Sequence, residues 1–162
     1  WLMNYPTPVW VMGSTYDPIA TEEAKRQGKA FDCEDFAVGL IKFANGATLE
    51  VEASWAAHIQ ERELIETRLL GTKGGLLQRN LAEGFTFESG FFSTRNGVLY
   101  DLKPHEPMPA CPSSMEHLVS AIIRDEPHIA SGEEGRTVMQ LLDALYESAR
   151  LNQPIPIGAR HG

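Results

Sequence analysis

Cysteine is nearly missing from the 162-residue sequence: Cys33 and Cys111 are the only two, far apart and in no CxxC or Cys/His set. A disulfide framework and a zinc ribbon are thereby excluded, and a reducing, cytoplasmic compartment is expected. Positive charge is scarce as well. Lys+Arg number 14 against 22 Asp+Glu, a formal net charge of −8, which repels phosphate backbones and acidic lipid surfaces alike. Nucleic-acid and membrane partners are therefore not expected. No apolar run approaches the roughly 18 residues a bilayer span requires, and the opening WLMNYPTP has neither the basic nor the apolar segment of a signal peptide.

What is present suits one domain. At 43% hydrophobic residues, 162 residues are enough to bury a core without disulfides or a structural metal. The start on Trp1, with Leu2 and Met3, reads as the last apolar turn of something upstream, so the chain is expected to be part of a longer protein.

The first half reads as strands. Pro8 to Tyr16, bracketed by Pro8 and Pro18, holds Val9, Val11 and Thr15. Thr21 to Lys29 is charged and Gly-terminated, an exposed loop or a short helix. Asp35 to Phe43 and the alternating run Leu49, Val51, Ala53, Trp55 flank Asn45-Gly46, which predicts a hairpin with a type I′ turn, the turn that needs positive φ at both central residues. Leu64 to Leu70 and Leu76 to Arg79 around Gly71-Thr72-Lys73-Gly74-Gly75 predict another. Shorter strands are expected at Phe85 to Glu88, Phe91 to Thr94 and Val98 to Leu102, with Gly90 and Asn96-Gly97 as turns.

After the Pro-rich stretch Pro104 to Pro112 the period changes. Ser113 with Glu116, and Ser131 with Glu134, have capping-box spacing. Behind them Met115, Leu118, Val119, Ile122 and Ile123, then Val138, Leu141, Leu142, Leu145, Tyr146 and Ala149, recur at helical spacing. Strands first and helices afterwards predict an α+β domain: an open, largely antiparallel sheet with helices packed on one face. Pro154-Ile155-Pro156-Ile157 adds a short edge strand.

Chemistry-bearing residues form no complete catalytic set. The Gly71–Gly75 turn has neither the GxxxxGK[ST] nor the GxGxxG spacing and runs on as a strand, so it reads as a structural turn. His58-Ile59-Gln60-Glu61-Arg62-Glu63 is the densest polar cluster. It lacks the second His of HExxH, so it is either a solvated connection or a binding loop in which His, Arg and Glu side chains hydrogen-bond sugar hydroxyls or carboxylates. Asp32, Glu34 and Asp35 could support acid/base work or a divalent cation, or simply form a solvated turn with Asp35 opening a strand. His105, His117, His128 and His161 are scattered, with no partner spacing, and no GxSxG elbow occurs.

Three segments together resemble the C-terminal domain of the glucose-fructose oxidoreductase / inositol dehydrogenase / MocA (Gfo/Idh/MocA) family: EDFAVGLIKFANGATLEVEASWA (Glu34 to Ala56), LLGTKGG (Leu69 to Gly75) and GEEGRTVMQLLDALYESA (Gly132 to Ala149). The resemblance runs from Trp1 to about Ile157. It implies that residues 1–162 are a single substrate-binding and oligomerisation domain, inactive alone. The parent would transfer hydride between NAD or NADP and a sugar, polyol or related hydroxyl compound. The nucleotide-binding Rossmann domain, with its Gly-rich turn and catalytic Lys, would lie outside this chain, so the chain itself would hold no cofactor, no metal and no catalytic residue. In relatives the helix-free sheet face builds dimers or tetramers, and the loop after the Trp55 strand reaches the substrate pocket, which singles out His58 and Arg62. The competing expectation is a free-standing α+β ligand-binding or scaffold module without redox chemistry.

Overall fold

The computed structural model describes residues 2–84, 86–103 and 113–158. The calls on Trp1, Phe85, Pro104 to Pro112, His105, Cys111 and His161 lie outside the described residues. The elements are β1 (Pro8–Tyr16), α1 (Pro18–Gln27), β2 (Phe36–Phe43), β3 (Thr48–Ser54), β4 (Glu66–Gly71), β5 (Gly74–Asn80), β6 (Phe87–Arg95), β7 (Val98–Leu102), α2 (Ser114–Arg124), α3 (Gly132–Leu151) and β8 (Ile155–Pro156). Every strand pair is antiparallel, as the α+β reading expects, and the strands form two four-stranded sheets ordered β3-β2-β1-β8 and β4-β5-β6-β7. They belong to two bodies, one running to Ala57 and resuming at His117, the other His58–Glu116.

In the first body, α3 lies on β1 and β8. The core is Val11, Ile41, Phe43, Ala144 and Leu145. Two glycines admit the helix: Gly13 and Gly39 sit opposite each other in the β1–β2 register, and a Cβ on either would come within 2.6 to 2.7 Å of the Leu145 side chain. Past the end of β8, which pairs only with Trp10 and Val11, the sheet edge is closed by a side chain. Fully buried Ser148 accepts from the Gly13 N–H at 3.0 Å and donates to the Gln153 carbonyl at 2.8 Å. Strand alternation puts Met12 and Tyr16 of β1 and Phe36, Val38 and Leu40 of β2 on the face opposite Leu145. Tyr16 and Phe36 touch there, with ring centroids 5.9 Å apart.

Of residues 21–29, 21–27 resolve to the helical alternative, within α1. Pro18 occupies its first turn and Gly28, at φ +63°, closes it. Its N-terminal donors are met from a distance: the Asp35 carboxylate accepts from the Ile19 N–H at 2.7 Å and the Ala20 N–H at 2.9 Å. Both capping boxes form, Ser113 with Glu116 and Ser131 with Glu134. The β2–β3 hairpin forms with a different turn from the one expected. Only Gly46 has positive φ (+91°), the Gly46 N–H reaches the Phe43 carbonyl, and Phe43 pairs with Ala47, which is a type I turn ending in a glycine bulge. The Asn45 side chain accepts from the Ala47 N–H rather than entering the left-handed region.

In the second body the type I′ signature falls at Asn96-Gly97, where φ is +52° and +77° between paired Arg95 and Val98. Thr72-Lys73 turns between paired Gly71 and Gly74, and β5 rather than a helix follows, so the glycine run is the structural turn expected of it. Gly90 is no turn. It lies inside β6 opposite Leu77, with the Phe92 ring 3.0 Å from where its Cβ would be, so what read as two strands is one. A bare backbone position here makes room for an aromatic neighbour.

Among the described residues no helix is long and apolar enough to cross a membrane.

Candidate substrate-contact loop

After Trp55 the chain runs irregularly from residue 55 to residue 65, and β4 begins at Glu66. His58 and Arg62 both lie on this segment and are exposed. Arg62 lines an open hollow with Glu61, Glu63, Arg79, Asn80 and Glu83, while His58 is not among its lining residues. The structure therefore groups Arg62 with carboxylates and leaves His58 apart.

The hollow is organised by charge pairing. Arg79 Nη2 lies 2.6 Å from Glu61 Oε1, and Arg62 Nη1 lies 3.3 Å from Glu83 Oε1. The Arg62 side chain is 86% exposed, so solvent screening leaves that pair weak and readily exchanged for an incoming hydrogen-bond acceptor. Glu63 Oε2 accepts from the Gly84 N–H at 2.8 Å. A guanidinium fork among carboxylates is suited to gripping a hydroxyl-rich ligand, donating to some oxygens and accepting from others.

The acidic trio before β2 divides its labour. Asp35, 3% exposed, caps α1 as described. Glu34 Oε1 accepts from the Tyr146 hydroxyl of α3 at 2.6 Å, and its carbonyl accepts from Trp55 Nε1 at 2.8 Å. The Tyr146 hydrogen bond holds the Glu34 carboxyl below its ordinary range, and Glu34 pushes the Tyr146 phenol up. Trp55 packs against Phe31, ring centroids 5.7 Å apart. Cys33 Sγ donates to Asp32 Oδ1 at 3.8 Å. Among the described residues no group of three or more His, Cys, Asp or Glu could hold a metal ion.

Two histidines that the sequence leaves without partner spacing do meet: His117 of α2 and His128 stack edge to face, centroids 4.7 Å apart. His128 Nδ1 sits against the Ala130 backbone, accepting its N–H at 3.1 Å. Helical periodicity on α2 could place His117, but nothing in spacing alone brings a loop residue back onto it.

An antiparallel α+β body with a long helix, α3, packed on β1 and β8, and an irregular polar loop following β3, defines the fold class. The chain belongs to the Gfo/Idh/MocA family: residues 1–157 match the model described as oxidoreductase family, C-terminal alpha/beta domain. D-glucoside 3-dehydrogenase of Escherichia coli (strain K12) is 27% identical over 156 residues, which are 92% of this chain and 42% of that protein. The chain thus spans less than half the length of this relative. The aldose-aldose oxidoreductase of Caulobacter crescentus, solved with glycerol, superposes with a TM-score of 0.69 at 19% identity, covering 94% of this chain and 42% of that one. The WlbA dehydrogenase of Bordetella pertussis, solved with NADH and UDP-GlcNAcA, superposes at 0.62 with 20% identity, covering 93% and 40%.

Proposed function

We propose that this chain is the substrate-binding and oligomerisation part of an NAD(P)-dependent oxidoreductase acting on a sugar, polyol or related hydroxyl compound, with hydride and proton transfer performed by a nucleotide-binding part outside it. The observation that carries the reading is the family match over residues 1–157, together with a relative that is a D-glucoside dehydrogenase more than twice as long. Arg62 and His58 supply substrate contacts, donating to hydroxyl oxygens without taking part in proton transfer. NAD or NADP is held by the other part, a reading supported by the lack, among the described residues, of a glycine-rich turn that opens a helix. The sheet face that carries Met12, Phe36, Val38 and Leu40 meets the same face of a second copy, an isologous contact that would cover the exposed Met12 and Leu40 and the half-buried Phe36 and Val38.

The test is steady-state kinetics of the complete two-domain enzyme at saturating cofactor. Arg62→Ala and His58→Ala should each weaken substrate binding by about 1 to 3 kcal/mol, the scale of a charge-assisted hydrogen bond, appearing in KM while kcat holds. An unchanged KM in both folded variants returns the loop to a solvated connection. A collapse of kcat at constant KM places proton transfer here after all.

A further inference from the structure

Asn80, the last residue of β5, is 6% exposed, and its amide is fully engaged. Its Oδ1 accepts from the Ile65 N–H at 2.8 Å. Its Nδ2 donates to the Ala82 carbonyl at 2.6 Å and the Glu63 carbonyl at 3.1 Å, with Glu63 Oε2 at 3.4 Å. Its backbone N–H reaches the Ile65 carbonyl at 3.1 Å. The two loops that frame the hollow, residues 61–65 and 81–84, are therefore both tied to one buried side chain.

The chemistry of the ties specifies the residue. Two of the contacts are carbonyl oxygens and one is an N–H, so the side chain must offer two donors and an acceptor within one planar group. Aspartate fits the volume and keeps the acceptor but has no donor. The 81–84 loop also needs holding: Ala82 has φ +129°, a conformation that a side-chain-bearing residue rarely adopts, and Gly84 has φ +97°. Glu63, tied to Asn80 through its own carbonyl, reaches across to the Gly84 N–H. Arg62 immediately precedes Glu63, and its partner Glu83 sits between Ala82 and Gly84. Both members of the Arg62–Glu83 pair thus ride on backbone that Asn80 fixes.

We propose that Asn80 is a positioning residue for substrate recognition: it touches no substrate itself, but sets the backbone from which Arg62 reaches the ligand's hydroxyl oxygens. This rests on the reading of Arg62 as a substrate contact. The energetic logic is preorganisation. An exposed arginine on a loosely held loop must be ordered each time substrate binds, whereas one mounted on a pinned loop has less freedom left to lose.

The experiment measures KM and kcat of the complete enzyme for a neutral probe, methyl D-glucoside, in Asn80→Asp, Glu63→Ala, Arg62→Ala and the Arg62→Ala/Asn80→Asp double variant. Asn80→Asp keeps the Ile65 tie and cuts the donors. Glu63→Ala, at an exposed residue, keeps the carbonyl tie but removes the Oε2 contacts to the Gly84 N–H and to Asn80 Nδ2, loosening the 81–84 loop from the other side, and carries the test should Asn80→Asp not fold. The expected result is a KM increase of roughly three- to tenfold in each single truss variant, on the scale of one hydrogen bond, with kcat within about twofold and no further increase when Asn80→Asp is added to Arg62→Ala. Faster hydrogen exchange at the Gly84 amide should accompany it. If Arg62→Ala raises KM while both truss variants leave it alone, or if Asn80→Asp multiplies the Arg62→Ala effect in full, Asn80 is a structural tie only and the proposal fails. If Arg62→Ala leaves KM unchanged, the substrate reading of the loop fails and the proposal falls with it.

Discussion

Ser148→Ala removes one oxygen from a side chain that is fully buried, and the structure says what that oxygen holds. It accepts the Gly13 N–H just where β8 no longer pairs with β1, and it donates to the Gln153 carbonyl beyond the end of α3. Water cannot easily replace it at a site with no exposure, so the variant loses two hydrogen bonds and leaves a buried donor unmet. Each neutral hydrogen bond contributes about 1 kcal/mol net, and an orphaned buried N–H costs about 1 to 3 kcal/mol. A loss of about 2 to 4 kcal/mol in the first body is expected, less any local relaxation. Urea unfolding followed by hydrogen exchange at the Gly13 and Val11 amides reads that body separately from the other, which a single global transition would not do. If Gly13 keeps its protection and stability changes by under about 0.5 kcal/mol, the serine is not closing the edge and the reasoning is wrong.

The Glu34–Tyr146 bond should give a pH signature. Because Tyr146 lowers the Glu34 carboxyl, its contribution is present above the unfolded carboxylate range and fades as acid protonates Glu34 in the folded state; because Glu34 raises the Tyr146 phenol, the contribution also fades as alkali ionises Tyr146. The stability gap between the native chain and Tyr146→Phe, about 0.5 kcal/mol for so exposed a pair, should be widest near neutrality and close at both ends; a gap constant with pH in urea titrations refutes the assignment. Leu40→Lys places a cation on the outer sheet face opposite Glu50, which it can pair with in the monomer. On the proposed sheet-face contact, light scattering should show a dimer for the native chain and a monomer for the variant, with little change in melting temperature; a variant still dimeric would move the interface elsewhere, and a monomeric native chain would refute the contact.

Local features were legible because their causes are local. Ser113 and Ser131 cap helices that begin one residue later, and Glu116 and Glu134 complete both boxes as spacing alone requires. The β2–β3 hairpin could be read from Asn45-Gly46, though not its turn type, because Asn45 has a side chain able to hold a type I turn by bonding forward to Ala47. The roles that spacing could not give act over long separations. Asp35 caps a helix that precedes it, Ser148 serves a strand 135 positions away, and Tyr146 bonds a residue 112 positions away. Asn80 ends an ordinary strand, and its role depends on the path of the chain before β4. Of the candidate site, Arg62 was legible with Glu61 and Glu63 in one charged stretch, but Arg79, Asn80 and Glu83, which come from later in the chain, were not.

The remote cap on α1 bears on the order in which the first body assembles. A ten-residue helix is shorter than the roughly 12 to 15 residues at which isolated helices hold together in water, and Asp17, at its own N-cap position, supplies no side-chain bond. The missing acceptor is Asp35, which is set in place when its N–H reaches the Tyr16 carbonyl and the Ser54 hydroxyl reaches its carbonyl. Residues 18–27 therefore acquire a stable helical start only once the ends of β1, β2 and β3 have met, despite preceding β2 and β3 in the chain. Emerging first during synthesis, this segment would wait in a frayed state for strands that have not yet been made.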